Sequence, residues 1–278
     1  MKQMKLISIV VSVLFLILVV APSAYAGMPK GIMLEPLRLE MKDGVNSRQI
    51  TVFNQSHDSS ISYTIRQVVL RMDEFGNMIA PEKITKREKL ALSMVRYSPK
   101  VATIPPGKRQ VVRVLIRRPP NLPEGEYLSY LSVSPVVPSQ KKDLGAADKN
   151  EEGAGIKINM YVGVSMPVLI IEGNPASTTK LSDMKLITTK RKKRAVQFYI
   201  ERSGKASSFV RVEVYGTKDG KEELIARDTR VVTYVNLKKR IEEINLVKDA
   251  QSFSGGPVTV KMYDCVTRDL LDTFQFNL

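Results

Sequence analysis

The chain has 278 residues, with 43 basic against 28 acidic side chains, one cysteine and one histidine, for a formal charge of +15. The lone Cys265 excludes an intrachain disulfide, and with His57 the only histidine there is no His-Cys cluster for zinc and no Ser-His-Asp constellation with a choice of bases. So large a charge points to an anionic partner or surface, but the basic residues are spread along the chain without the interleaved aromatics of a nucleic-acid stacking platform.

Lys2 and Lys5 precede an uncharged apolar run from Leu6 to Ala21, followed by Ser23, Ala24, Tyr25 and Ala26, a small-x-small cleavage pattern. This reads as a secretory signal peptide over residues 1–26, cleaved after Ala26, which sends the mature chain out of the cytoplasm. An uncleaved membrane anchor is the alternative, because the apolar run approaches the length of a span. It predicts a mature chain beginning at Met1 rather than Gly27. Without the leader about +13 remains on roughly 250 residues, a length that suits two domains better than one.

Beyond the leader, apolar and polar residues alternate with period two, and the apolar set is rich in Val and Ile, the signature of half-buried strands. Gln49–Phe53, Ser62–Val68 and Gln110–Ile116 are examples, and the turn clusters KDGVNS, NQSHDSS, DEFGN and PPGK punctuate them. His57 falls in one of these polar turns and reads as a solvated residue. Strands this short and this often interrupted predict an all-β sandwich. Between Glu82 and Leu92 the run EKITKREKLAL fits a helix as well as a loop or an edge strand.

Residues 137–155 form the longest stretch without apolar periodicity. A loop of that length calls for a functional reason or disorder. It precedes a strand with Ile156, Ile158, Met160, Val162, Val164 and Met166 on one face and Lys157, Asn159, Tyr161, Gly163 and Ser165 on the other. On residues alone that strand is an ordinary sandwich strand with one core face. After Ile171 the run EGNPAS marks a linker, giving domains over 27–171 and 172–278. The second half runs through KLSDMKLI, AVQFYIERS, SFVRVEVYG, EELIARD, RVVTYVNL, VTVKMYD and FQFNL, about seven strands and the size of one immunoglobulin-like sandwich.

Lys190–Arg194 is five consecutive basic residues, which fit either a hairpin cap that discourages edge pairing or a contact for an acidic partner or anionic lipid; Lys238–Arg240 is read the same way. Cys265 reads as a buried small residue in the strand VKMYDCV. No phosphate-binding glycine loop, metal-ligand spacing or nucleophile elbow occurs, so the reading is of a protein that is not an enzyme and uses no cofactor.

The first half resembles the periplasmic pilus-assembly chaperones of the chaperone-usher pathway. The resemblance is carried by Leu34-Glu35-Pro36-Leu37-Arg38-Leu39, by Ile50–Asn54, by SPKVATIPPGKRQVVRVLIRR at 98–118 and by Leu122-Pro123-Glu124-Gly125-Glu126-Tyr127-Leu128, which occur in the family's order. The most specific piece is IPPGKRQVVRV. Over the second half the resemblance rests on length and strand count.

What the resemblance implies is two immunoglobulin-like β-sandwich domains in an angled, L-shaped arrangement, located in the periplasm. The implied activity is donor-strand complementation, in which the strand from Ile156 through Ile158, Met160, Val162 and Val164 completes a pilin or fimbrial subunit that lacks a strand, before delivery to an outer-membrane usher. This mode of strand addition joins main-chain pairing to side-chain pockets at alternate positions. Burying four such apolar side chains contributes on the order of 5 to 10 kcal/mol before ordering costs. The resemblance also implies an anchor for the subunit's terminal carboxylate. Arg38 falls on the family's arginine position, while the family's lysine position holds an uncharged residue near 161–163 and Lys157, the strand's only lysine, comes earlier. The extended segment at 137–155 is similar to that of one family branch but has no cysteines. Self-association through the same strand stays an open alternative, while export and the scattered basic residues argue against nucleic acid as a partner. The competing reading is an immunoglobulin-like adaptor, periplasmic or on the cell surface, that binds a partner other than a pilin.

Overall fold

The computed structural model describes residues 31–136, 162–218, 221–250, 253 and 255–278. They form two β-sandwiches joined by a short connection. The first contains β1 (Ile32–Glu35), β2 (Leu39–Met41), β3 (Ser47–Asn54), β4 (Ile61–Val68), the small hairpin β5 (Arg71–Met72) and β6 (Met78–Ile79), helix α1 (Lys86–Met94), β7 (Val95–Ser98), β8 (Val101–Ile104), β9 (Arg109–Ile116), β10 (Gly125–Pro135) and β11 (Val164–Glu172). One sheet has the order β1-β3-β9-β7 and the other β2-β11-β10-β4-β8, the two-layer arrangement of an immunoglobulin-like domain.

Period-two alternation builds the core between these layers. Ile50 and Val52 of β3 and Val112 and Val114 of β9 face Tyr63 of β4, Leu131 and Val133 of β10, and Val168 and Ile170 of β11, all fully buried. A shift of one residue in any of these strands would turn its apolar set outward, so the pattern itself sets the register. The first strand serves both layers. β1 pairs antiparallel with β3; the chain then crosses over at Glu35–Pro36, whose peptide is cis, and β2 pairs parallel with β11.

The undecided segment near Glu82–Leu92 is helical, four residues later at its start than the sequence pattern marks. Thr85 caps it, accepting from the Glu88 amide while the Glu88 carboxylate accepts from the Thr85 amide, a capping box that satisfies two otherwise orphaned donors. The same carboxylate takes two 2.7 Å hydrogen bonds from Arg71. Ala91 and Met94, three residues apart on one helix face, enter the core.

The second sandwich contains β12 (Ser177–Thr188), β13 (Arg194–Gly204), β14 (Ser208–Lys218), β15 (Lys221–Thr233), β16 (Lys239–Asn245), β17 (Pro257–Asp264) and β18 (Leu270–Asn277), in sheets β12-β13-β16 and β15-β14-β17-β18. The strands are not all the ones the sequence suggests. EELIARD and RVVT belong to one strand, β15, with an irregular register opposite Val210–Val212, and the charged segment KRIEEIN, which is not among the strands named from the sequence, is β16. Two of the smaller readings also change. Cys265 lies in the turn after β17, half-buried, with its thiol 3.3 Å from the Thr229 carbonyl. Arg240 is not a solvated hairpin residue: it is buried, pairs with Glu242, and donates to the Val232 carbonyl and the Met72 sulfur.

The sandwiches meet through named contacts. Tyr127 at the start of β10 donates to the Pro123 carbonyl at 2.8 Å, the tyrosine corner of immunoglobulin-like domains, and this fixes the preceding Glu126 where the second domain reaches it. The Glu126 carboxylate accepts from the Ser207 amide at 2.9 Å and its hydroxyl at 2.5 Å, while the same hydroxyl accepts from the Val235 amide. Burial pushes the Glu126 carboxyl above its ordinary range, opposed by the Ser207 hydrogen bonds and the charge of Arg202. Beside it Leu128, Tyr130 and Leu169 pack with Phe209, Tyr234 and Val235. Tyr130 and Phe209 each meet Tyr234 edge to face at 6.1 Å.

Candidate functional site

β11 is the element that positions the candidate site. Its even-numbered residues point into the first core: Ile170 and Val168 are fully buried, Met166 is 1% exposed, Val164 lies at the rim, and Val162, just before the strand, is 55% exposed. The apolar parity noted in the sequence therefore runs out of the core toward the N-terminal end of the strand. Ile156, Ile158, Met160 and Lys157 lie outside the described residues.

The hydrogen-bonding edges of β11 differ from each other. One edge pairs with β10 over its whole length, from Val164 opposite Val133 to Glu172 opposite Gly125. The other edge pairs with β2 only from Val168 to Ile170. Among the described residues, 164–167 thus have a strand neighbour on one side alone. Just ahead of them the backbone lies close against β10: a Cβ at Gly163 would stand 2.9 Å from the Ser134 hydroxyl and 3.2 Å from the Val133 carbonyl. An edge of this kind presents unpaired main-chain groups to any extended segment that can align with it.

Arg38 sits in the crossing between β1 and β2. Its guanidinium donates to the Glu40 carboxylate at 2.7 Å and stacks 4.0 Å above the Phe209 ring of the second domain. It is therefore half-neutralised by its own strand and held at the domain junction. A surface concavity beside it is lined by Pro36, Arg38, Leu39, Glu40, Arg48 and Gln49. Arg48, at the start of β3, is exposed and has no ion-pair partner among the described residues. Nothing local in the sequence marks Arg48, Glu40 or Phe209 as neighbours of Arg38, since the sheet crossover and the domain contact bring them there. Leu37, next to Arg38, is 67% exposed.

No family model matches the chain, and no curated protein matches it in sequence. Among solved structures it is similar to the class 5 fimbriae chaperone CfaA at 12% identity, over 89% of this chain and 98% of that one, with a TM-score of 0.42. It is likewise similar to the YadV chaperone, at 12% identity over 89% of this chain and 99% of that one, with a TM-score of 0.44. A third likeness is to a Salmonella enterica complex of the SafA pilin with the SafB chaperone, at 12% identity over 91% of this chain and 99% of that one, with a TM-score of 0.43. At these identities and scores each is a likeness and decides no function.

Chemically, the site offers two things side by side on the first domain. One is a half-paired strand whose alternate residues are apolar and whose exposure rises from Met166 to Val162. The other is a concavity with two guanidinium groups and one carboxylate, suited to a single anionic group.

Proposed function

We propose that this protein is a periplasmic chaperone for pilus or fimbrial subunits, holding each subunit by donor-strand complementation and passing it to an outer-membrane usher. One observation carries the reading: β11 loses its second strand neighbour N-terminal to Val168 while its apolar parity continues outward through Val164 and Val162. In this reading Ile156, Ile158, Met160 and Val162 extend that ladder and fill the groove of the subunit. Main-chain bonds along the open edge supply pairing independent of sequence. The concavity with Arg38 and Arg48 takes the subunit's terminal carboxylate, so that Arg48 serves where the family pattern has a lysine on the last strand.

Co-expression with a candidate pilin subunit tests the reading. Ile158→Asp and Met160→Asp are each expected to abolish co-purification of the subunit, because a carboxylate on the inward face would be buried without a partner. Asn159→Asp, on the opposite parity, is expected to leave it unchanged. Undiminished capture by both apolar-face variants would refute the proposal.

A further inference from the structure

The turn between β12 and β13 lies at the end of the second domain remote from the first. Ser177 and Gly204 pair beside the domain junction, and Thr188 and Arg194 pair at the other end of the same two strands, roughly 35 Å away at the usual strand rise. The turn is tied at its base by Thr189, whose amide donates to the Lys193 carbonyl at 2.8 Å and whose hydroxyl accepts from the Lys193 amide at 3.2 Å. Beyond that base Lys190, Arg191, Lys192 and Lys193 are all exposed, and none of the four has an ion-pair partner among the described residues. Lys248, just past β16, and Lys221, opening β15, add exposed charge at the same pole. Among the described residues the acids there are fewer: Glu222 lies 3.5 Å from Lys261, Glu243 accepts from Gln197, and Glu223 and Asp249 remain.

The backbone of this turn is also a costly one for a lysine. Lys192 has φ +58°, the left-handed region that glycine or asparagine occupies at little cost and other residues at a penalty. The turn thus carries a lysine where conformation alone favours glycine, and its four basic side chains repel one another without an ion-pair partner among the described residues. Both features weaken the fold locally and add charge.

We propose that this pole docks on a membrane surface through the phosphate headgroups of anionic phospholipids. The composition of the patch favours lipid over an acidic protein. A specific protein interface needs apolar or aromatic anchors at its centre. Among the described residues of the second domain the strongly exposed large apolar side chains are Val266, Leu270 and Leu271, at the opposite end, where β17 turns into β18 near the first domain. A headgroup layer asks only for clustered cations, whose contributions accumulate residue by residue. The inference does not depend on the strand-pairing reading.

Co-sedimentation of the mature chain with vesicles tests it, using phosphatidylcholine alone against phosphatidylcholine mixed with phosphatidylglycerol. The chain is expected to bind only the anionic vesicles, with affinity falling as salt rises. Replacing Lys190, Arg191, Lys192 and Lys193 by serine should weaken binding on the order of 100-fold. A control with Lys86, Lys89, Arg96 and Arg113 of the first domain changed to serine should bind nearly as the parent does. Lys192→Gly should raise the melting midpoint while weakening vesicle binding, a pairing that a purely structural turn would not produce. Three outcomes overturn the proposal: no binding to anionic vesicles by the parent chain, equal losses in the two quadruple variants, or tighter binding to soluble polyglutamate than to the vesicles.

Discussion

Arg202 carries five hydrogen bonds to main-chain carbonyls, those of Leu237, Ser203, Gly204, Ala206 and Val235, at 2.7 to 3.3 Å. It is 6% exposed, and burial pulls its pKa down against the opposing charge of Glu126. The guanidinium fork can reach several carbonyls at once, which the point charge of a lysine cannot. Arg202→Met is therefore expected to cost about 2–4 kcal/mol in urea denaturation, by leaving those carbonyls without their donor and removing the charge that opposes Glu126. Arg202→Lys should recover less than half of the loss.

At the concavity, Glu40 and Arg48 act on an anion with opposite sign. Glu40 competes with any incoming anion for Arg38, so Glu40→Gln should strengthen subunit capture, and Arg48→Ala should weaken it. Equal capture by both variants in a pull-down titration would remove these side chains from the account. In the sequence Arg38 stands out only through a resemblance. The sequence is silent on Arg48, because the two arginines come together only once the first strand has crossed between sheets.

Among the elements, α1 shows how local chemistry decides an ambiguous segment. The amphipathic signal is weak, but Thr85 and Glu88 stand at capping-box spacing and Arg71 clamps the same carboxylate. The Arg71 hydrogen bonds, against a partial cost of burial, hold the Glu88 carboxyl at about 2 instead of 4.5. A carboxyl depressed by folding stabilises the native state above its unfolded pKa, and that stability is lost as pH falls through the folded value. The contribution of Glu88 should thus be complete at neutral pH and disappear between about 4.5 and about 2. Glu88→Gln should lower stability by about 1–2 kcal/mol at pH 7 and make little difference near pH 2. A constant difference across that range, measured by denaturant midpoints, would contradict the assignment.

The strands divide in the same way. β3 and β9 are legible because their apolar residues alternate, and β11 because its apolar parity starts before the continuous run Val168–Ile171, whose Leu169 is buried on the opposite face against the second domain. β16 is not legible, because Arg240 and Glu242 occupy inward positions as a buried ion pair and give the segment the look of a solvated loop. β15 was read as two pieces because Asp228, Thr229 and Arg230 sit at its register irregularity. Charges that pair inside a fold defeat period counting, and only tertiary contacts reveal them.

At the scale of the whole molecule, the all-β class and the paired sandwiches follow from alternation and turn spacing, whereas the contacts between domains do not. Phe209, Tyr234 and Ser207 meet the first domain from loops and strand ends where no periodicity points to a partner. Among the described residues that assembly leaves β11 open: paired on both sides from Val168 to Ile170, and on one side before them. Amide hydrogen exchange over residues 162–167, with and without the bound subunit, measures this directly. The account predicts rapid exchange in the free protein for the amides on the open edge, and slowing of at least tenfold once a subunit strand pairs there, about 1.4 kcal/mol of added protection or more. Exchange already slow in the free protein, or unchanged when a subunit is bound, would contradict it.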